Sequence, residues 1–94
     1  PKILDNSTTV WHQFVVRSDK RSELIDFLSN KGIGSIIHYP IPPYLQEAYR
    51  YLEYKKGDFS ITEKYSDTVL SIPLYNGMTE EEQDTVINAL NEFK

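Results

Sequence analysis

The stretch at residues 32–49 constrains the fold of this chain more than any other. It begins with a glycine typical of a helix end, continues as a short apolar strand, and breaks on three prolines between positions 40 and 43. Proline lacks the N–H that a strand ladder needs, and it keeps the preceding residue extended. The stretch therefore predicts a buried strand that ends in His38 and Tyr39 at a rigid corner.

The hydrophobic pattern on either side of this corner predicts an α+β domain. Alternating apolar positions indicate strands, and spacings of three and four residues indicate helices. The predicted order is strand 10–16, a helix that stops at Gly32, strand 33–39, a short helix from Pro43, helix 61–68, strand 69–74 and a helix after Thr79. We expect a small three-stranded, mainly antiparallel sheet covered by helices, with the third strand between the first two.

Two helix starts carry the capping-box pattern, a hydroxyl followed three residues later by a carboxylate. Ser60 with Glu63 is the first, and Thr79 with Glu82 is the second. In such a box each side chain satisfies a backbone N–H that the helix leaves free. Both sites are expected to begin helices.

Charge and composition exclude several classes of function. The net charge of −4 argues against a nucleic-acid partner, which requires a basic surface. The chain has no cysteine, which excludes a thiol nucleophile and a zinc–thiolate site. It has no apolar run of the roughly 20 residues that span a membrane and no visible signal peptide, so a cytoplasmic location is expected.

The first nine residues are polar and are interpreted as a linker, which leaves a single domain at 10–94. Because the chain opens on Pro1, we interpret it as a piece of a longer protein, with a processed N-terminus as the alternative. The first predicted strand is apolar on both faces. We expect its Trp11 and Val15 face to pack against a part of the protein outside these residues.

His38 and Tyr39 are the best candidates for a functional site. Histidine donates and accepts protons near neutral pH, and tyrosine can orient a hydroxyl or phosphate while its ring stacks. The simpler alternative is a hydrogen-bonded histidine beside an edge tyrosine. His12 is the one other histidine, and no motif spacing relates the two to a metal site. Since no lysine or carboxylate pair stands in a catalytic context, spacing alone predicts no catalytic residue.

Seven segments occur in the order found in a known family. They are WHQFVVR at 11–17, GIGSIIHYP at 32–40, LQEAY at 45–49, GDF at 57–59, TE at 62–63, LSIPL at 70–74 and MTEEE at 78–82. Together they resemble the C-terminal small domain of the DegT/DnrJ/StrS sugar aminotransferases. The resemblance covers about residues 10–93, nearly the whole chain.

The resemblance implies a pyridoxal-phosphate enzyme of the aspartate-aminotransferase fold type. Such enzymes transfer an amino group from glutamate to a nucleotide-linked keto sugar, and they usually form homodimers. The Schiff-base lysine would lie in a large N-terminal domain outside these residues, so residues 10–94 alone would be inactive and bind no cofactor. The pattern around His38 is most similar to members that aminate 3-keto-6-deoxyhexoses.

The resemblance also implies substrate-binding residues. His38 and Tyr39 would lie at the mouth of the active site and contact the sugar nucleotide. Tyr44 is the third candidate contact, although many relatives carry histidine at that position. Two alternatives remain open: a stand-alone module that binds carbohydrate or protein through its tyrosines, and a regulatory relative that has lost the catalytic lysine.

Overall fold

The computed structural model describes residues 2–94, and its core lies between two helices and one face of an antiparallel sheet. Its elements are β1 (Phe14–Arg17), α1 (Arg21–Asn30), two 3-10 helices (Pro43–Leu45 and Glu47–Leu52), α2 (Ser60–Thr68), β2 (Val69–Ile72) and α3 (Glu80–Glu92). This is the predicted α+β class. Within residues 2–94, no helix is both long and apolar enough to cross a membrane.

The strand β2 is the centre of the sheet. It pairs with β1 in an antiparallel register that runs from Phe14 opposite Ile72 to Arg17 opposite Val69. On its other side Ser71 forms an antiparallel bridge to Ile36, in which Ile36 N–H donates to Ser71 O at 3.0 Å and Ser71 N–H donates to Ile36 O at 2.8 Å. The prediction that the third strand lies between the first two is confirmed.

The predicted strand at 33–39 is reduced to this single bridge. In the same register, residue 34 would next face Pro73, which has no N–H to donate. On the other side, residue 38 would face Val69, whose carbonyl already accepts from the Arg21 guanidinium at 3.3 Å. The ladder therefore stops after one residue pair.

Three other predicted elements are shorter or tighter than expected. β2 ends at Ile72 rather than at residue 74, because Pro73 has no N–H to donate to a ladder. β1 begins at Phe14 rather than at residue 10, because Trp11 has a φ of +35°, which interrupts the extended backbone. The helix expected after Pro43 is two 3-10 helices separated by an extended Gln46, and none of their residues is buried. A short helix that buries none of its residues is marginal in water, which explains why no α-helix forms here.

The core is built from a small set of aliphatic side chains on both sides of the sheet–helix interface. The buried members are Leu24, Leu28, Ile33, Leu70, Val86 and Ala89. Leu28 of α1 and Leu70 of β2 have no exposed surface. Because alternate residues of a strand face opposite sides, Leu70 faces this core and Ser71 faces away from it.

The helix ends test three of the local predictions. Gly32 has a φ of +75° and Ile33 N–H donates to Leu28 O at 2.9 Å, so the predicted helix stop is confirmed. The capping box at Thr79 and Glu82 is also confirmed. The box at Ser60 is wrong: α2 begins after Phe59 without a side-chain cap, and Ser60 is its first residue.

The cap of α3 gives a stability prediction. Glu82 N–H donates to Thr79 Oγ1 at 3.2 Å, and Thr79 N–H donates to Glu82 Oε2 at 2.8 Å. Thr79→Ala should therefore lower the free energy of unfolding by about 1 kcal/mol, the usual cost of losing such a cap. Urea unfolding followed by circular dichroism measures this change. Thr85→Ala, an exposed change within the same helix, is the matched control, and equal effects would contradict the capping role.

Candidate functional site

An open cavity lies beside the bridge between Ile36 and Ser71. Its volume is about 480 Å³. Its polar lining comes from six side chains: His12, Gln13, Ser35, His38, Ser71 and Tyr75. Among the described residues, no aspartate, glutamate, lysine or arginine lines it. The rest of the lining is apolar or glycine: Gly34, Ile36, Ile72, Pro73 and Leu74. The cavity therefore combines apolar surface with hydrogen-bonding groups and two imidazoles, which suits a ligand that has both apolar surface and oxygen atoms.

His38 is held in this cavity by the central strand. Its Nδ1 lies 2.9 Å from Ser71 Oγ. Ser71 is 8% exposed, and its backbone N–H and carbonyl both bond to Ile36, two residues before the histidine. Three hydrogen bonds from one buried residue thus fix both the backbone and the ring of the segment that ends in His38.

His12 lines the same cavity as His38. The sequence separates the two histidines by 26 positions, and the structure brings them together because β2 lies between β1 and the bridged segment. Among residues 2–94, no three His, Cys, Asp or Glu side chains form a group that could hold a metal ion. The two imidazoles are therefore better suited to hydrogen bonding than to metal binding.

Tyr39 lies at the outer edge of the site. It is 70% exposed, and its ring meets the His38 ring edge-on, with centroids 5.4 Å apart and planes at 80°. The peptide bond between the two residues is cis. Tyr39 does not line the cavity itself, so it can contact a ligand only beyond the cavity mouth.

Tyr44, the third predicted site residue, is not part of this cavity. Its hydroxyl donates a hydrogen bond to the Glu63 carboxylate. Its ring packs against Tyr54 and Phe59, with centroid separations of 6.3 and 4.8 Å. The structure thus does not bring Tyr44 together with His38, and its contact with a substrate stays a prediction.

Glu63 anchors the turn before α2. Besides the Tyr44 hydroxyl, its Oε1 accepts from Gly57 N–H at 2.7 Å and from Phe59 N–H at 3.4 Å. These bonds replace the capping box that the sequence predicted at Ser60. The turn is therefore closed by a carboxylate that already lies inside the helix.

These contacts shift the pKa values of both partners. Partial burial, followed by the hydrogen bond to Glu63 and the negative charges of Glu63 and Asp58, raises the pKa of Tyr44 from 10.0 to about 12. The hydrogen bond from Tyr44, followed by the Gly57 N–H, lowers the pKa of Glu63 below its ordinary value of 4.5. The folded state thus favours a neutral tyrosine and an ionised glutamate.

The stability of the turn should depend on pH in two windows. A lowered pKa means that the contribution of Glu63 is present above pH 4.5 and is lost as the pH falls through the lowered value. A raised pKa means that the contribution of Tyr44 is complete below pH 10.0 and is lost as the pH rises through about 12. Urea midpoints measured at acid and alkaline pH should therefore fall less in Glu63→Gln and Tyr44→Phe, respectively, than in the unmodified chain. Parallel pH profiles for all three proteins would contradict these assignments.

Sequence reasoning missed Ser71 and His12 as members of the site. A usable signal existed for Ser71, since it is the one polar residue in the apolar run VLSIPL at 69–74. A buried hydroxyl in a strand needs a partner, and that partner is His38. For His12 there was no such signal, because its place depends on how the strands are ordered.

Within residues 2–94, no lysine lines the cavity. Lys31 pairs with Glu92 at 2.5 Å, and Lys20 donates to the Lys94 carbonyl at 3.3 Å. The lining of this cavity therefore does not fit a cofactor that is held as a Schiff base.

Comparison with known proteins places the chain in one family. The model of the DegT/DnrJ/EryC1/StrS aminotransferase family matches residues 2–91. A pleiotropic regulatory protein from Geobacillus stearothermophilus is 38% identical over 93 residues, which are 99% of this chain and 25% of the relative. A dTDP-3-amino-3,6-dideoxy-alpha-D-galactopyranose transaminase from Aneurinibacillus thermoaerophilus is also 38% identical, with the same coverage.

A solved structure extends this similarity to the fold. The crystal structure of S. venezuelae DesV in complex with a ketimine intermediate superimposes with a TM-score of 0.91 at 33% sequence identity, over 98% of this chain and 25% of that chain. The chain thus spans about a quarter of the length of the relatives that it matches. The resemblance inferred from the seven sequence segments is confirmed, and the chain belongs to the DegT/DnrJ/EryC1/StrS aminotransferase family.

Proposed function

We propose that residues 10–94 are the C-terminal small domain of a longer pyridoxal-phosphate aminotransferase. The whole enzyme would transfer an amino group from glutamate to a keto-deoxysugar linked to a nucleotide. The observation that carries this proposal is the superposition on DesV, in which 98% of this chain matches 25% of that chain with a TM-score of 0.91. Residues 1–9 would be the linker that enters this domain.

The contribution of this domain is to hold the substrate. The cavity beside His38 presents hydroxyl, amide and imidazole groups without a fixed charge, which is a chemistry that suits the hydroxyl and carbonyl oxygens of a sugar. Tyr39 would close on the ligand from the rim. We propose His38 and Tyr39 as substrate-binding residues, and we retain Tyr44 as a third whose hydroxyl would first have to leave Glu63.

Pyridoxal phosphate would supply the electron sink for the reaction when it is bound. Since no lysine lies at the cavity, we propose that its lysine belongs to the large N-terminal domain. The sheet face that carries Val15 and Val69 supports such a partner, because both side chains are only half buried on the side away from the core. A cytoplasmic homodimer is the assembly we propose for the whole enzyme.

A 3-keto-6-deoxyhexose is the sugar we propose. The relative from Aneurinibacillus thermoaerophilus, 38% identical, is named as a transaminase of a dTDP-linked 3-amino-3,6-dideoxy sugar. The pattern around His38 is most similar to family members that aminate such substrates. The nucleotide and the stereochemistry of the sugar follow this relative only by analogy.

The test is an amino-transfer assay on the full-length protein with bound pyridoxal phosphate. We expect 2-oxoglutarate to form from glutamate when a dTDP-linked 3-keto-6-deoxyhexose is supplied, and mass spectrometry to detect the amino sugar. Reactions without the sugar, or with the dTDP-linked 4-keto isomer, are the controls. Equal rates with both isomers would overturn the sugar assignment, and no turnover with either would overturn the enzyme assignment.

A regulatory binding module is the second candidate function. It is favoured by the 38% identity to the pleiotropic regulatory protein from Geobacillus stearothermophilus. In this case the full-length protein would bind sugar nucleotides or a protein through its exposed tyrosines but release no 2-oxoglutarate. Saturable binding of a dTDP-linked sugar without turnover, lost in Tyr39→Ala, would support this reading over the first.

A further inference from the structure

Either Ser71 or His38 donates the hydrogen bond between them. Which of the two donates decides whether His38 Nε2 carries a proton. His38 Nδ1 and Ser71 Oγ lie 2.9 Å apart, so one of the two groups donates to the other. A neutral imidazole carries its proton on one nitrogen only and accepts at the other. The direction of this one bond therefore fixes the state of Nε2, on the far side of the ring.

Burial of Ser71 selects the direction. The residue is 8% exposed, and within residues 2–94 its hydroxyl has no hydrogen-bond partner other than His38 Nδ1. If Nδ1 carried the proton, the Ser71 hydroxyl would accept from the ring, and its own proton would have no acceptor among the described residues. A buried donor without a partner is costly, whereas donation to Nδ1 satisfies both groups.

The position of Ser71 makes this selection rigid. Its backbone N–H and carbonyl bond to Ile36 at 2.8 and 3.0 Å, and it lies opposite Val15 in the middle of the sheet. These bonds therefore hold the Cβ of Ser71 in place beside the imidazole ring. Neutral His38 is consequently held with Nδ1 as an acceptor and with Nε2–H free of any partner among the described residues.

We propose that Ser71 is a positioning residue that keeps the His38 proton on Nε2, so that His38 donates a hydrogen bond to an oxygen atom of the ligand in the cavity. No described residue accepts a hydrogen bond from Nε2, so this N–H is available to an oxygen atom of a ligand in the cavity. The identity of that ligand, a sugar linked to a nucleotide, rests on the proposed function. The assignment of the His38 tautomer does not depend on the proposed function.

The first experiment reads the tautomer without any activity measurement. The full-length protein is labelled with ¹⁵N in its histidine rings, and the His38 signals are identified by their loss in His38→Gln. At pH 8 we expect the protonated shift at Nε2 and the unprotonated shift at Nδ1. Ser71→Ala should mix the two tautomers and Ser71→Thr, which keeps the hydroxyl, should restore the original pattern. A proton on Nδ1 in the unmodified protein, or an unchanged spectrum in Ser71→Ala, would overturn the proposal.

The second experiment tests whether His38 Nε2 donates a hydrogen bond to the ligand. Calorimetry on the full-length protein with bound pyridoxal phosphate measures the Kd for two ligands. They are dTDP-glucose, which lacks the reactive ketone, and dTDP alone. A glutamine side chain places its amide near the position of Nε2, whereas asparagine places it near Nδ1. We expect His38→Asn to raise the Kd for dTDP-glucose about tenfold, equivalent to 1.4 kcal/mol, and His38→Gln to raise it much less. Ser22→Ala, an exposed change on α1, is the neutral control.

The two ligands separate the possible acceptors. A tenfold loss for dTDP-glucose but not for dTDP indicates an oxygen of the glucose, and equal losses for both indicate an oxygen of the dTDP group. Either result supports donation from Nε2. Equal Kd values for His38→Asn and the unmodified protein would overturn it. Absence of binding by the unmodified protein would overturn the proposed function together with donation to this ligand, while the ¹⁵N spectrum would still decide whether Ser71 fixes the tautomer.

Discussion

Truncation of Leu28 to alanine should lower the free energy of unfolding by about 3 to 5 kcal/mol, the range measured for fully buried leucines. Leu28 has no exposed surface and lies in the core with Leu70 and Val86. The lost side chain removes apolar contacts and leaves a cavity that the short elements around it cannot close. A domain of this size has a modest core, so this single change removes a large part of its stability.

Urea unfolding followed by far-ultraviolet circular dichroism measures the effect. Ile87→Ala on α3 is the matched control, because Ile87 is an aliphatic residue that is 51% exposed. Its substitution should cost less than about 1.5 kcal/mol, since only part of its surface is removed from water. If both substitutions cost the same, the assignment of Leu28 to the centre of the core is wrong.

Replacement of His38 by alanine in the full-length protein should lower kcat/KM for the sugar nucleotide by about 10- to 100-fold. The change removes the imidazole from the cavity and leaves the buried Ser71 hydroxyl without its partner. Tyr39→Ala should have a smaller effect, because its ring is 70% exposed and lies outside the cavity lining.

Steady-state kinetics with a dTDP-linked keto-deoxysugar and glutamate measures this loss, and circular dichroism verifies that the variants are folded. Tyr51→Ala is the control: Tyr51 is 74% exposed, and it does not line the cavity. If His38→Ala has the same kcat/KM as the unmodified protein, His38 does not contact the substrate. If kcat/KM falls only because the variant is unfolded, His38 stabilises the fold and its role in substrate binding is not supported.

Local signals in the sequence predicted those features that depend on neighbouring residues. Gly32 ends α1 because only glycine adopts a positive φ without a steric cost, and the residues on either side complete that helix end. Thr79 and Glu82 form their capping box within one helical turn. The spacing of apolar residues likewise predicted the helix that ends at Gly32, since helical periodicity is a property of the chain itself.

Similar local signals were misleading where a distant group competed for the same side chain. Glu63 follows Ser60 at the spacing of a capping box, but its carboxylate bonds instead to the Tyr44 hydroxyl and the Gly57 N–H. The spacing could not predict this, because Tyr44 lies 19 positions away. A substrate contact of the Tyr44 hydroxyl would compete with this bond to Glu63.

The sequence by itself determined the α+β class, the end of α1 at Gly32, the cap of α3 at Thr79 and the corner at which His38 stands. Only the tertiary structure decided that Ser71 holds His38, that His12 shares its cavity, and that the strand at 33–39 shrinks to one bridge. The physical reason is the range of the interactions. Periodicity and capping act within one or two turns of the chain, whereas the site forms where β2 enters between two segments that the sequence keeps far apart.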